Sequence, residues 1–212
     1  MDVREAYNNW ADQYDTNKNK TRDLEAVSLR ATLNSIHFDS CLEIGCGTGK
    51  NTEWLISKAK TILAVDLSDE MLTNAKNKIQ SGKVKFIQAD IKEEWSFIKN
   101  EKFSLVTFSL VLEHIENLEK IFEKLKQVIE DNGYVYIGEL HPFKQYKGTK
   151  ARFETENGMQ IVTCFDHNIS DFTNAAKKNG FQIIELNEYF DDNDRTNIPR
   201  ILTLVMKKIS GT

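Results

Sequence analysis

Residues 41–49 read CLEIGCGTG, a short apolar run that ends in three glycines at alternate positions. Cys41, Leu42 and Ile44 suit a buried parallel strand, which needs no polar face. The glycines predict a tight turn that brings bare backbone close to a ligand, because a Cβ would block both the unusual dihedrals and the contact. A helix over residues 51–59 is expected to follow this turn.

A second apolar run over residues 61–65 ends in Asp66, where a carboxylate can accept hydrogen bonds from both hydroxyls of a ribose. The dinucleotide fingerprint is GxGxxG, whereas the glycines here give GxGxG and Lys50 stands where the third glycine would fall. Glu43, before the first glycine, suits a cationic ligand better than a pyrophosphate. The spacing therefore predicts a nucleoside cofactor and argues against a nicotinamide-dependent oxidoreductase.

With these residues in view, the stretch from Leu42 to Gly49 resembles motif I of the class I S-adenosylmethionine-dependent methyltransferases, commonly written (D/E)xGxGxG. The resemblance covers essentially the whole chain. Within the class, the chain is similar to the type 11/12-like small-molecule methyltransferases. It implies S-adenosyl-L-methionine as cofactor and S-adenosyl-L-homocysteine as product. It also implies a doubly wound, Rossmann-like α/β fold. The expected sheet has seven strands and is mostly parallel with an antiparallel last strand, helices on both faces and a cap insertion after strand five.

The resemblance assigns cofactor contacts to particular positions. Asp90 would accept a hydrogen bond from the adenine amino group, with Ile91 as its backbone neighbour, although a carboxylate at a strand end is often a helix cap. Met71 would pack on the adenine face or fill a gap in the core. Arg22 would bind the methionine carboxylate or remain solvated. The predicted cofactor-binding residues are Tyr14, Arg22, Glu43, Gly45, Cys46, Gly47, Gly49, Asp66, Leu67, Met71, Asp90, Ile91 and Leu110.

The chain is expected to form one methyltransferase domain over residues 1–212. Its parts are a helical lid at 1–36, a cofactor-binding core at 37–140, a substrate cap at 141–167 and a final helix and β-hairpin at 168–212. In the lid, an aromatic stripe of Tyr7, Trp10, Ala11 and Tyr14 recurs at helical spacing. In the resembling enzymes a YxxxAxxYD segment lies over the cofactor pocket, and Tyr7, Ala11, Tyr14 and Asp15 match it here. Packing of the same stripe on the sheet is the alternative.

Apolar periodicity and turn residues predict the remaining elements. The predicted helices are 68–79, 118–130 and 170–179, and the predicted strands are 84–87, 103–108, 134–138, 182–189 and 201–206. Asn132 and Gly133 are expected to end the second of these helices. The cap is expected to contain a hairpin over 153–165 that turns at Asn157 and Gly158.

Methyl transfer from a sulfonium requires alignment of nucleophile, methyl and sulfur, and exclusion of water. A carboxylate acceptor already carries its charge, whereas a hydroxyl must lose a proton, which a histidine can accept near neutral pH. His114 and His141, both at the carboxyl edge of the sheet, are the candidate bases, with a structural role as the alternative for each. The acidic cluster after residue 190 lacks the spacing and bidentate glutamate of a calcium loop, so no metal site is predicted.

The composition of the 212-residue chain, with a net charge of -4 and a pI near 5.7, gives no overall attraction to nucleic acid or membranes. The basic runs 76–85 and 144–150 are interpreted as solvated faces. Without an apolar span or the features of a signal peptide, a cytoplasmic protein with a small-molecule methyl acceptor is expected. An RNA-base methyltransferase with a basic concave face around the cap, or a non-catalytic S-adenosylmethionine-binding protein, are the alternatives. The sequence does not predict the oligomeric state.

Overall fold

The protein was analysed as a computed structural model that describes residues 2–155 and 158–209. The strands in these residues are β1 Ser40–Ile44, β2 Thr61–Asp66, β3 Val84–Gln88, β4 Phe103–Ser109, β5 Ile129–Leu140, β6 Arg152–Thr155, β7 Gly158–Ile161, β8 Phe181–Tyr189 and β9 Ile201–Lys208. The helices are α1 Val3–Tyr14, α2 Lys20–Leu33, α3 Thr52–Leu55, α4 Asp69–Lys78, α5 Leu118–Val128, α6 Pro142–Tyr146 and α7 Ile169–Lys178.

The main sheet has seven strands in the order β3-β2-β1-β4-β5-β9-β8, while β6 and β7 form a separate antiparallel hairpin. β9 pairs antiparallel with both β5 and β8, and the other pairings in the sheet are parallel. The predicted Rossmann-like fold is therefore confirmed. The strand order reverses between β1 and β4, and open α/β sheets bind ligands outside the carboxyl ends of the strands at such a point.

Apolar layers cover both faces of the sheet. In β1, Leu42 and Ile44 pack into one buried cluster and Cys41 into another on the opposite face. Burial on both faces explains why this strand reads as a continuous apolar run. No helix in the described part of the chain is long and apolar enough to span a membrane.

Helix α1 lies across the carboxyl edge of the sheet and is tied to its surroundings by polar contacts. The Oγ atom of Ser68 donates to Oδ1 of Asn8 over 2.6 Å, and Oγ1 of Thr48 donates to Oδ1 of Asp15 over 2.7 Å. On its other side, the ring of Trp10 stacks on Phe153 of β6 with centroids 5.2 Å apart. Helix α1 therefore bridges the glycine turn and the β6–β7 hairpin.

Two predicted helices differ from the structure, and one observed helix was not predicted. The helix expected over 51–59 is the short α3, because hydrogen bonds from Ser57 and Lys58 reach back three residues, as in a tighter 3₁₀ turn. Helix α5 ends at Val128, two residues before the predicted end and ahead of the stop signal at Asn132 and Gly133, since Ile129 already pairs with Phe103 of β4. In the predicted cap, α6 was not anticipated. Of the predicted hairpin turn, Asn157 lies outside the described residues.

Candidate active site

The turn after β1 is held against β2 by backbone hydrogen bonds. The N–H of Gly45 donates to the carbonyl of Val65 over 2.7 Å, and Gly45 has a φ of 71°. A Cβ on Gly45 would lie 2.1 Å from Cγ2 of Val111, which follows β4. At Gly47, with φ 53°, a Cβ would meet no atom within 4 Å. The first glycine thus permits close packing of two loops, and the second leaves open space beside the turn.

That space belongs to a cavity between the carboxyl edge of the sheet and α1. Its lining includes the predicted residues Tyr14, Gly45, Gly47, Asp66, Leu67, Met71, Ile91, Leu110 and His114. Val3, Tyr7, Ala89 and Ser109 also line it and were not among the predicted cofactor contacts. The cavity measures about 90 Å³, below the ~300 Å³ at which ligand pockets usually begin. The cavity in this form is therefore smaller than a usual ligand pocket.

Asp66 lies at the end of β2 with its carboxylate turned toward the glycine turn. Oδ2 accepts a hydrogen bond from the N–H of Gly47 over 2.7 Å, and Oδ1 accepts one from the N–H of Ser68 over 2.9 Å. Burial raises the pKa of Asp66, and the two backbone donors oppose that rise. The carboxylate is thus fixed in place at the wall of the cavity.

A smaller cavity continues past the glycine turn and contains two buried carboxyl groups, Glu43 and Glu25. Oε2 of Glu43 accepts a hydrogen bond from Oγ1 of Thr52 over 2.6 Å, and Oε2 of Glu25 accepts one from Nδ2 of Asn51 over 2.9 Å. Burial raises the pKa of Glu43 to about 8, and it also raises the pKa of Glu25. Such a pair of carboxyl groups favours a cationic ligand, which would offset the cost of ionising them in this place.

The loop after β4 forms the third wall, and Leu110 within it has a φ of 57°, which is uncommon for a bulky residue. Its N–H donates to the carbonyl of Gly138 over 2.8 Å. The next two N–H groups, of Val111 and Leu112, donate to Oε1 of Glu139 over 2.9 and 2.8 Å. Burial raises the pKa of Glu139 to about 8. These hydrogen bonds hold the backbone of Leu110 in its unusual conformation, and Leu110 lines the cavity.

His114 faces the same cavity and is buried against α1. Its Nδ1 lies 2.8 Å from the carbonyl oxygen of Thr163, and its Nε2 lies 2.8 Å from Oη of Tyr7. Because a carbonyl can only accept, Nδ1 carries the proton, and Nε2 of the neutral ring accepts from the Tyr7 hydroxyl. The basic nitrogen of His114 therefore points at the lid.

His141 occupies a different environment from His114. It is fully buried and caps α6, where its Nδ1 accepts from the N–H of Phe143 over 3.2 Å, and its Nε2 lies 2.9 Å from Oε1 of Glu188. Burial lowers the pKa of His141, while Glu188 opposes the shift. His141 lines neither the cofactor cavity nor the cleft described next, and both of its nitrogens are engaged. The structure thus places only one of the two predicted bases at the cavity.

A polar cleft of about 290 Å³ adjoins the cofactor cavity on the side of the hairpin. It is lined by residues from α1, the loop before α2, the first turn of α2, the loop after β4, the segment that leads into β6 and the residue before β9: Tyr7, Trp10, Tyr14, Lys18, Lys20, Arg22, Leu110, Glu113, Lys150, Arg152 and Arg200 among others. Tyr14 and Leu110 line this cleft and both cavities. The three spaces therefore meet between these two side chains.

Three of the predicted cofactor residues have other contacts. Arg22 donates through its two terminal nitrogens to the carbonyl oxygens of Tyr14 and Asn17, so it holds the loop before α2 while lining the cleft and the smaller cavity. Asp90 lies outside the lining of the cavity, and its Oδ1 accepts from the N–H of Lys92 over 2.9 Å. Gly49 packs against the side chain of Ile79, away from the cavity.

Apart from Arg22, the basic residues of the cleft are not among the predicted site residues. Lys150 belongs to a run interpreted as a solvated face, yet its side chain is only 36% exposed and it lines the cleft. Lys18 and Lys20 fall within the predicted lid, and Arg152 falls within the predicted cap, without a role assigned to any of them. No local signal identifies them, because they converge only when α1 packs on the hairpin. In the described ranges, no group of three or more potential ligands is placed to hold a metal ion.

Comparisons with known proteins agree on one kind of enzyme. Residues 42–137 match a family model described as a methyltransferase domain. An uncharacterised methyltransferase of Emericella nidulans is 26% identical to the chain, and the alignment covers 88% of this chain and 78% of that protein. The malonyl-[acyl-carrier protein] O-methyltransferase of Priestia megaterium is 31% identical, with 86% of this chain and 64% of that protein covered. The chain thus spans slightly less than two thirds of the second relative.

A solved structure shares the fold across nearly the whole chain. The S-adenosylmethionine-dependent methyltransferase of Clostridium acetobutylicum superposes with a TM-score of 0.70 at 20% sequence identity. The superposition covers 96% of this chain and 99% of the other. At this identity the likeness concerns the fold.

Proposed function

Because the chain belongs to the class I S-adenosylmethionine-dependent methyltransferases, we propose that it methylates an oxygen atom, of a carboxylate or a hydroxyl group, on a small-molecule acceptor. S-adenosylmethionine is the cofactor and supplies a methyl group on a positively charged sulfur. The observation that carries the proposal is the meeting of three spaces at Tyr14 and Leu110. One space suits a nucleoside, the second a cationic amino acid and the third an acceptor.

The residues around the first two spaces fit the cofactor. Asp66 would receive the ribose hydroxyls, and the apolar side chains of Leu67 and Met71 would pack against the base. Glu43 would face the positively charged end of the cofactor, with the bare backbone of Gly47 leaving room beside it. The fit rests on the open space at this glycine, which any side chain would fill.

The third space is proposed to admit the acceptor between α1, acting as a lid, and the β6–β7 hairpin, acting as a cap. Methyl transfer then depends on alignment and exclusion of water more than on a dedicated base. The name of the Priestia relative, an O-methyltransferase of malonyl-[acyl-carrier protein], supports an oxygen acceptor. A carboxylate oxygen would need no proton removed, so the chain would only have to position it.

A hydroxyl acceptor would use the Tyr7–His114 pair. The acceptor hydroxyl would pass its proton to Oη of Tyr7 as the tyrosine proton moves to Nε2 of His114, 2.8 Å away. The carbonyl of Thr163, 2.8 Å from Nδ1, would then stabilise the protonated ring. His114 returns that proton to solvent when the lid opens. His141 is proposed to position α6 and takes no part in proton transfer.

The test is methyl transfer from S-adenosylmethionine with a labelled methyl to panels of carboxylates, alcohols, phenols and amines. Label is expected on oxygen acceptors. Tyr7→Phe should lower the rate with hydroxyl acceptors by about 100-fold, the lower range for general base catalysis, and should leave the rate with carboxylates within about twofold. Label on amines alone would contradict the oxygen assignment, and binding of the cofactor without transfer to any acceptor would favour a non-catalytic binding protein.

An RNA-base methyltransferase is the second candidate, because the cleft beside the hairpin is basic and concave. Its volume of about 290 Å³ suits a small molecule or a single base. Labelled RNA from the same assay, with transfer that falls steeply as salt increases, would favour this candidate.

A further inference from the structure

The charge of the cleft beside the cofactor cavity is opposite in sign to the net charge of the molecule. The chain has a net charge of -4, yet the cleft is lined by six basic side chains and by Glu113 as its acidic one; the basic residues are Lys18, Lys20, Arg22, Lys150, Arg152 and Arg200. Burial raises the pKa of Glu113, which makes its negative charge harder to maintain. Such a concentration of one sign in a concave site attracts ligands of the opposite sign.

Carboxylates of the protein neutralise only part of this charge. Arg200 is paired with Asp191 through two hydrogen bonds of 2.5 and 2.6 Å, and Nζ of Lys150 lies 3.8 Å from Asp166. Within residues 2–155 and 158–209, the structure gives no ion pair to Lys18, Lys20 or Arg152. At least three cations thus remain available to a ligand.

Two buried donors in the same lining have no hydrogen-bond acceptor in the described part of the chain. They are Nε1 of Trp10 and Nε of Arg22, in side chains that are 5% and 7% exposed. The nearest carboxylate oxygen to the latter atom is 4.0 Å away, in Asp23. A buried donor without an acceptor destabilises the folded protein. A ligand that supplies acceptor oxygens at this wall would remove that unfavourable contribution.

One carboxylate of the cofactor does not account for this arrangement. The smaller cavity beside the glycine turn, where the cofactor is proposed to bind, has its own basic residue in Lys50, which also pairs with Asp23. The other basic residues of the cleft lie on the far side of Tyr14 and Leu110, where the proposed acceptor enters. The positive charge of the cleft is therefore placed to bind the acceptor.

We propose that the cleft binds a doubly charged anionic group of the acceptor, either a phosphate or phosphonate group or a pair of carboxylates. The inference rests on the proposed function for the place of the acceptor and adds its chemical class. Lys18, Lys20 and Arg152 supply charge at the mouth of the cleft, and Trp10 and Arg22 donate hydrogen bonds at its inner wall. The anionic group thus fixes the orientation in which the reacting oxygen meets the methyl.

Binding can be measured without turnover, by calorimetry on protein saturated with S-adenosylhomocysteine, with inorganic phosphate, succinate and acetate at constant ionic strength. Phosphate or succinate is expected to bind at least tenfold more tightly than acetate. Tighter binding of phosphate would assign the phosphate or phosphonate class, and tighter binding of succinate the dicarboxylate class. Equal binding of acetate would overturn the inference.

Variants locate the bound anion. The double substitution Lys18→Gln and Arg152→Gln changes exposed residues, and it should weaken binding of the preferred anion about tenfold or more. Trp10→Phe keeps a ring against Phe153 but removes the indole N–H, and it should weaken binding about fivefold. Lys177→Gln, on the exposed face of α7, is the control and should change nothing. Unchanged affinity in the double variant would also overturn the inference.

The remaining outcomes separate this inference from the proposed function. A 15-nucleotide RNA that binds more than a hundredfold more tightly than phosphate would overturn the inference in favour of nucleic acid. Anion binding as expected, without methyl transfer to any oxygen acceptor, would count against the proposed function alone. Methyl transfer to uncharged alcohols without anion binding would count against the inference alone.

Discussion

The cofactor cavity and the basic cleft share a wall but are built in opposite ways. The cavity is formed at the ends of parallel strands, with the carboxyl group of Asp66 in its wall and the buried carboxyl group of Glu43 in the smaller cavity next to it. The cleft is formed by a loop, a hairpin and a helix outside the sheet, and cations such as Lys18 and Arg152 surround it. The difference places carboxyl groups, which can ionise beside a cation, where the cofactor is proposed to bind. It places basic groups where the anionic acceptor is proposed to bind, so each site suits a ligand of opposite charge.

Gly45→Ala should have the largest effect and tests whether the turn of the cavity is fixed by packing. Its Cβ would lie 2.1 Å from Val111 at a φ of 71°, which combines overpacking with backbone strain and should cost about 2–4 kcal/mol of unfolding free energy. Thermal unfolding without ligand measures this. Gly47→Ala, which meets no atom within 4 Å, should unfold at a higher temperature than Gly45→Ala but should weaken cofactor binding. Equal melting temperatures would contradict the packing argument.

Asp66→Ala should have the second largest effect, because it removes the hydrogen-bond acceptor proposed for the ribose hydroxyls. Affinity for S-adenosylhomocysteine should fall by about tenfold to a hundredfold, corresponding to the ~1.5–3 kcal/mol of hydrogen bonds to a charged group. Calorimetry measures the loss. Phosphate binding in the cleft should stay within about twofold of the unsubstituted protein, since Asp66 does not line the cleft. A cofactor affinity that does not change would remove Asp66 from the cofactor site.

Glu43→Gln should have the smallest effect of the three and is visible as a pH dependence. The folded protein retains a proton on Glu43 between its ordinary pKa of 4.5 and about 8. The unfolded chain loses that proton, so the unfolding free energy falls as pH rises through this window. Glutamine can still accept from Thr52, and the variant should be about 1–2 kcal/mol more stable than the unsubstituted protein at pH 8 and no more stable at pH 4.5.

Melting temperatures across this pH range, without ligand, measure the effect of Glu43→Gln. Glu123→Gln changes an exposed carboxylate on α5 and serves as the control. The same substitution at Glu43 should weaken cofactor binding at pH 8, because the negative group facing the cofactor is lost. If the stability difference between the variant and the unsubstituted protein is the same at pH 4.5 and pH 8, Glu43 ionises in the folded protein without a loss of stability.

The two regions also differ in how far the sequence predicts them. The sheet follows from apolar runs, and its carboxyl edge follows from the parallel order, so Asp66 and the glycine turn could be placed in advance. The end of α5 could not be placed in advance, because the pairing of Ile129 with Phe103 overrides the local stop signal at Gly133. Helix α6 had a local signal that was overlooked, with Pro142 in its first turn and His141 as its cap.

The cleft could not be derived from local signals. Lys18 and Arg152 are more than a hundred residues apart in the chain, and they line one space because Trp10 stacks on Phe153. Their charges look like ordinary solvated residues when each segment is considered alone. Leu110 is a similar case, since its positive φ follows from the bonds of this loop to Gly138 and Glu139 and not from its own preference.

The separate pairing of β6 with β7 has a consequence for how such an enzyme can change over evolution. The hairpin shares no ladder with the main sheet, so insertions or substitutions there leave the strand order and the glycine turn intact. The loop before α2, which carries Lys18, likewise lies outside the strands of the sheet. New acceptors can thus be acquired by exchanging two short peripheral segments while the machinery for the cofactor is inherited unchanged.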